Sequence, residues 1–238
     1  MPHNQYMIEQ FFGQPIGIYD LDVPDDLNKQ LVDFAYHCYE LQTKHVDPAE
    51  VTQYTDDNSH VGAHANIFNR CHLFATFPKD IISIINEQVK LYLDNSNLFS
   101  DLGFPFNVPY IERSWPCIIK PNDNLKIHNH KSSTLSLAYY PYDNNSGDFL
   151  ISDVGINTFY KEVELVENIK NIKIKKSRLI IFPSNMFHWT DTNKSNNNRI
   201  SYSIDYNIVG EKVSMPPVHL LEKLYEDFFA KLTLLGEA

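Results

Sequence analysis

Residues 178–190 read R-L-I-I-F-P-S-N-M-F-H-W-T, and this stretch decides the fold. Leu179 to Phe182 form an unbroken apolar run closed by Pro183. A run this short, bounded by a turn signal, reads as a strand buried on both faces. Phe187 to Thr190 resume with aromatic and β-branched residues, which favour a second strand. Downstream, Ile200, Tyr202, Ile204 and Tyr206 alternate through 199–208, the period of a strand with one face turned inward.

Working upstream, the same character extends back to Tyr110. Further short β-rich runs occupy 110–119, 125–130, 134–140, 148–151, 158–165 and 172–175, separated by turn residues such as Asn144-Asn145-Ser146-Gly147. This pattern predicts a mainly β (α+β) architecture, an antiparallel double-stranded β-helix or jelly roll over about 110–208. Helical periodicity flanks it. Pro24 opens a pattern with Leu27, Leu31, Phe34, Ala35, Cys38 and Leu41 on one face. A second helix starts near Pro78, with Ile81, Ile85, Val89 and either Tyr92 or Leu93 inward. Pro216 and Pro217 precede a C-terminal amphipathic stretch with Leu220, Leu221, Leu224, Phe228 and Leu232. The expected organisation is a single domain. Residues 1–109 give helical support, with a candidate lid over 43–72; 110–208 form the roll and 209–238 a closing helix.

Composition narrows the function classes. The formal charge of −10 argues against a phosphate-backbone binder, so no nucleic-acid partner is expected. No apolar stretch approaches the roughly 20 residues of a membrane span, and the N-terminus lacks the basic and apolar regions of a signal peptide. Cys38, Cys71 and Cys117 make an odd set without C-x-x-C spacing. They read as small buried hydrophobes of a reducing, cytoplasmic compartment. The sequence leaves the oligomeric state open.

The chemistry-bearing residues stand within the roll. His128 and His130, in I-H-N-H-K, would point to one face of a strand. His188 could complete a triangle from a second strand. Three imidazoles suit iron, copper, nickel or zinc and leave coordination positions open. Arg199, permanently charged, could hold a carboxylate through its planar fork, and Ser201, two residues on, shares its face. The ordinary alternatives are half-exposed histidines and a surface arginine. Ordered spacing over some eighty residues is what favours a site. His45-Val46-Asp47, and His60 with His64, lie in the polar N-terminal stretch and are weaker metal candidates. Trp115 and Trp189 read as core or rim aromatics, with Trp189 a candidate border of the pocket.

The segment 110–208 resembles the 2-oxoglutarate- and Fe(II)-dependent oxygenases, in particular the prolyl-hydroxylase-like group and its bacterial and phage relatives. I-H-N-H stands where the family has a His-x-Asp/Glu segment. L-A-Y-Y-P-Y resembles the strand ending in Tyr-Leu-Asn, and N-N-S-G-D-F-L the Gly-Gly-x-Leu strand. R-L-I-I-F-P-S-N-M-F-H resembles the strand leading to the distal histidine, and N-R-I-S-Y-S-I the strand of the co-substrate arginine. The resemblance implies that His128 and His188 are catalytic iron ligands. It also implies that Arg199, with Tyr140, binds the far carboxylate of 2-oxoglutarate, and that the chain hydroxylates a small-molecule or peptide substrate. His130 departs from the family pattern, since an imidazole replaces a carboxylate. It is the third metal ligand, a neighbour of a two-histidine iron, or a substrate contact; ligation is the favoured of the three. Two other readings stay open. One is a three-histidine cupin-type dioxygenase that uses no 2-oxoglutarate; the other is a non-catalytic β-roll in which the histidines are incidental.

Overall fold

The computed structural model describes residues 5–11, 13–45, 79–96, 110–130, 133–143, 145–152 and 169–207. In chain order these give β1 (Gln5–Phe11), β2 (Gln14–Asp20), α1 (Asp25–His45), α2 (Lys79–Ser96) and β3 (Tyr110–Ile119). The remaining strands are β4 (Leu135–Tyr140), β5 (Asp148–Ser152), β6 (Lys170–Lys173), β7 (Arg178–Pro183), β8 (Phe187–Thr190) and β9 (Arg199–Asn207). They form a six-stranded sheet in the order β1-β2-β7-β4-β9-β3 and a three-stranded sheet in the order β6-β5-β8. Every named strand pair is antiparallel. This is the expected double-stranded β-helix. Apart from the neighbours β1–β2 and β5–β6, strand order departs from chain order, because the chain passes between the two sheets after β4, β6, β7 and β8.

The large sheet is covered on both faces, which is why β7 is buried along its whole length and reads as a continuous apolar run. Its outer face takes Leu135, Leu137, Leu179, Ile181, Ile200 and Ile204 into one core with α1 and α2. The helices present the faces that their periodicity predicts: Leu27, Leu31, Phe34, Ala35 and Cys38 from α1, and Ile81, Ile85, Val89 and Tyr92 from α2. Of the two candidates for the last inward position of α2, Tyr92 is fully buried. Tyrosines on the outer face of the sheet tie it to the helices: Tyr139 Oη donates to Asn28 Oδ1 at 2.6 Å, Tyr202 to the Leu31 carbonyl at 2.6 Å and Tyr206 to Asn86 Oδ1 at 2.7 Å. A phenol can bury its ring and still satisfy its hydroxyl only where such a partner exists. The inner face joins the small sheet in a second core that includes Ile18, Tyr140, Ile180 and Phe182 opposite Phe149 and Ile151.

Two differences from the sequence reading bear on the architecture. First, residues 1–109 are not wholly helical support, since β1 and β2 extend the large sheet by pairing with each other and, through β2, with β7. The alternation of Ile16 and Ile18 is short and interrupted by Gly13, Pro15 and Gly17, which read as turn signals. Gly13 is indeed in a turn, at φ 77°. Gly17 serves packing instead: a Cβ there would lie 2.6 Å from the Tyr19 ring and 2.8 Å from the Tyr92 ring. Second, residues 125–130 make no regular strand. They lie beside β8 with a single bridge, His128 to His188, and the next contact, Thr190 N–H to the Leu125 carbonyl, skips a residue on one side. Strand 158–165, the candidate lid beyond His45 and the C-terminal helix lie outside the described residues, as do Asp47, His60, His64 and Cys71. Cys38 and Cys117 are buried thiols. Among the described residues no helix is long and apolar enough to cross a membrane.

Candidate metal and keto-acid site

The register of the large sheet arranges its inner face in rows. At one end Arg113, Asp205, Ser136 and Phe182 stand side by side on β3, β9, β4 and β7. The next row is Trp115, Ser203, Ala138 and Ile180. Beyond it, Cys117 opposes Ser201, and Ile119 opposes Arg199 at the far end. Successive same-face residues on a strand are roughly 6.5–7 Å apart. The rows thus run from a carboxylate end to an arginine end.

At the carboxylate end the three histidines converge. The ligand atoms of His128, His130 and His188 all lie within 4.8 Å of one another. Ring centroids are 4.2 Å apart for His128 and His188, 5.2 Å for His128 and His130, and 5.0 Å for His130 and His188. Each ring has its Nδ1 engaged with an acceptor: His128 with the Lys126 carbonyl at 2.7 Å, His188 with the Met186 carbonyl at 3.2 Å, and His130 with Asp205 Oδ1 at 2.6 Å. A carbonyl or carboxylate can only accept, so the ring proton sits on Nδ1 and the lone pair on Nε2, the tautomer that a metal-binding imidazole needs. Burial, together with the neighbouring His128 and His130, holds His188 well below the usual histidine range, which keeps it neutral. Phe149 stacks on His188 at 5.7 Å and Phe182 meets it edge-on at 4.8 Å. These rings wall one side of the cluster against water.

Asp205 was not singled out in the sequence, although counting by twos from Arg199 along β9 reaches it. It is completely buried. Oδ1 accepts from His130 and from the Ser136 hydroxyl at 2.9 Å, and Oδ2 accepts from Arg113 Nε at 2.7 Å. Burial alone would raise this carboxyl; the contact with His130, then Arg113 and Ser136, outweighs it and holds the group below the usual carboxylate range. Ser184 extends the network, its Oγ 2.8 Å from that of Ser136. Trp115 is buried with its ring 5.7 Å from that of His130. Trp189 does not border the cluster. Strand alternation turns it to the face opposite His188, where it pairs with Leu150.

At the other end Arg199 is 1% exposed, far from the surface position usual for a lone arginine. Nε donates to Ser146 Oγ at 2.8 Å, and Nη2 donates to the Asp191 carbonyl at 2.8 Å and to the Ser146 carbonyl. Nη1 is buried without a hydrogen-bond partner. Burial lowers the Arg199 pKa, offset in part by Tyr140, Asp191, Asp148 and Tyr142. A guanidinium clamped on two nitrogens, with the third buried and without an acceptor, matches one half of a bidentate carboxylate grip. Tyr140 is buried on the same inner face, and burial raises its phenol well above the ordinary value despite the opposing charge of Arg199. It therefore stays protonated and able to donate. Ser201 is half-buried on that face, between Cys117 and the end of β4. Asp191, which holds Arg199, lies three residues beyond His188, about 10 Å of extended chain. The residues present thus fit both a divalent metal and a keto acid.

Residues 113–205 match the family model described as "Putative 2OG-Fe(II) oxygenase". Among curated proteins no significant match was found. Among solved structures, a 2OG-Fe(II) oxygenase family oxidoreductase from Burkholderia pseudomallei is 13% identical, with 52% of this chain matched to 56% of that one at a TM-score of 0.37. The present chain thus spans little more than half of that protein's length. A prolyl-4-hydroxylase from Pseudomonas putida is 14% identical over 82% of this chain and 93% of that one, at a TM-score of 0.45. A prolyl hydroxylase from Trichoplax adhaerens, in complex with a peptide fragment of the hypoxia inducible factor oxygen degradation domain, is 12% identical over 81% and 83%, at a TM-score of 0.47. The family likeness rests on the matched segment, not on these overall superpositions. That segment contains the histidine cluster, Asp205 and Arg199, and over it the chain is similar to the 2OG-Fe(II) oxygenases, a family whose description names Fe(II) and 2-oxoglutarate.

Proposed function

We propose that this chain is a 2-oxoglutarate- and Fe(II)-dependent hydroxylase in which His128, His130 and His188 hold the iron through Nε2. Arg199, assisted by Tyr140 and Ser201, takes the far carboxylate of the keto acid. The observation that carries this reading is the buried Nη1 of Arg199, which has no hydrogen-bond partner. A buried donor left without an acceptor is costly, and a bound carboxylate removes the cost. Fe(II) and 2-oxoglutarate, when bound, supply oxidation of a C–H bond coupled to decarboxylation of the keto acid. The protein's contribution is placement and exclusion of water. The substrate class we favour is a small molecule or a peptide, and the odd cysteine count without C-x-x-C spacing suits a cytoplasmic setting.

A three-histidine dioxygenase without a keto acid would give Arg199 no task in the interior. Anaerobic calorimetry of 2-oxoglutarate with Co(II)-loaded and metal-free protein tests the proposal. Binding should be at least about tenfold tighter with the metal, because the keto end and the carboxylate end are then held together. Metal-independent binding, or none, would count against it.

A further inference from the structure

We infer that Asp205 supplies, through His130, the negative charge that a directly bound carboxylate would otherwise give the metal. This inference rests on His130 being a ligand. Three neutral imidazoles leave a divalent ion with its full charge of two, whereas two imidazoles and a carboxylate leave one. The geometry restores the missing charge one step out. His130 donates Nδ1–H to Asp205 Oδ1 at 2.6 Å, so Nε2 is the nitrogen turned toward the metal. A short, charge-assisted bond of this kind makes the ring a stronger donor and fixes its orientation.

The surroundings are built to hold the carboxylate in that role. Asp205 is fully buried, and each oxygen has a separate task. Oδ1 serves His130 and Ser136, while Oδ2 is held by Arg113 Nε at 2.7 Å, so the group cannot turn away from the ring. Ser136 Oγ lies 3.1 Å from His130 Nδ1 and 2.8 Å from Ser184 Oγ. With the Ser136 hydroxyl proton given to Asp205, Ser184 can donate to Ser136, and the chain of donors ends on the carboxylate. Arg113 is the opposing charge. Its side chain is 24% exposed whereas that of Asp205 is 0% exposed, so solvent screens the arginine more than the acid. The field at His130 is therefore dominated by the nearer, drier group.

An ion pair present only for folding would give the same contacts, and two variants separate the possibilities. Co(II) affinity, the Co(II) d–d spectrum and the Fe(III)/Fe(II) midpoint potential are measured in full-length protein, with thermal unfolding of the metal-free form alongside. Asp205→Asn keeps the shape and removes the charge. It should weaken Co(II) binding by about 10- to 100-fold, shift the d–d bands and raise the potential. Arg113→Gln removes the competing cation and leaves the carboxylate; it should bind Co(II) at least as tightly as wild type and lower the potential. Moving the charge back into direct contact, as His130→Asp in the Asp205→Asn background, should recover metal affinity. Unchanged affinity and potential in a folded Asp205→Asn protein would overturn the inference. If Asp205→Asn does not fold, Arg113→Gln decides: weaker metal binding with a raised potential would mark the pair as structural and overturn it. Failure of the metal centre itself shows separately, as wild-type protein that takes up no Co(II) or a His188→Ala variant that binds it normally.

Discussion

His128 and His188 face each other across an antiparallel bridge. The backbone N–H of each donates to the carbonyl of the other, at 3.0 and 2.8 Å, and their rings are 4.2 Å apart. The backbone thus sets the separation of two candidate ligands before any metal arrives. Such pre-organisation lets binding proceed without ordering long loops, because the ligands stand on one bridge and their Nδ1 atoms are already satisfied.

Replacing His188 by Ala should lower Co(II) and Fe(II) affinity by more than about 100-fold, beyond the loss typical of a residue that only supports a ligand. His128→Ala should behave alike. Both variants should keep the β-sheet circular dichroism of wild type, since the bridge is made by backbone atoms. Equilibrium dialysis showing wild-type metal content in either would remove that residue from the ligand set.

For Arg199→Ala the expected loss is in 2-oxoglutarate affinity, about 1.5–3 kcal/mol for one charge-assisted contact. Metal affinity should be unaffected. Arg199→Lys should recover only part of the loss, because a point charge cannot reproduce the fork that spans Ser146 and Asp191 while presenting Nη1. Calorimetric titration of the metal-loaded variants reads this directly.

Gly147 is the place where the anchor depends on backbone shape. It adopts φ 103°, and a Cβ there would lie 2.7 Å from the Asp191 Cβ and 3.2 Å from Arg199 Nη2. Gly147→Ala should destabilise the fold by roughly 1–3 kcal/mol and weaken 2-oxoglutarate binding by displacing the guanidinium. Thermal unfolding and keto-acid titration together check it. A variant unchanged in both would show that the turn after Asn145 can relax without consequence.

Metal-free protein should lose stability as pH falls below about 6.5, the ordinary histidine value. His188 has a depressed pKa in the fold, so the unfolded chain takes up its proton first. The stabilisation is complete above the unfolded pKa and is lost progressively as pH falls toward the folded one. Asp205, also depressed, adds a loss of the same sign at lower pH. In His188→Asn the decline between pH 6.5 and 5 should be shallower, as melting temperatures across that range would reveal. An equally steep decline would assign it to other groups.

The roll was legible because β7 and β9 announce themselves differently. A strand covered on both faces reads as Leu-Ile-Ile-Phe, and one whose faces differ reads as alternating Ile and Tyr. Arg199 is legible at the head of β9, and the histidine cluster from its order along the chain, with His188 on β8. What escaped the sequence has physical reasons. The β1–β2 hairpin is dense in Gly and Pro, and Gly17 is small to admit Tyr19 and Tyr92, a tertiary demand that local propensity does not show. Residues 125–130 pair at one position only, so the i, i+2 argument reaches histidines that do cluster, but through a strand that is not regular. Asp205 carries no local signal, because the apolar alternation of β9 and the serines beside Arg199 dominate that stretch and its partner His130 lies 75 positions earlier in the chain. Trp189 was misplaced by proximity in sequence, which strand alternation reverses.

The most direct test of the account is succinate formation from 2-oxoglutarate by protein reconstituted anaerobically with Fe(II) and then exposed to oxygen. Wild type should form succinate in an iron-dependent manner. His188→Ala should form none, and Arg199→Ala should do so only at raised 2-oxoglutarate concentration. Iron-loaded wild type that binds the metal yet forms no succinate, or a His188→Ala protein that forms it at the wild-type rate, would contradict the account.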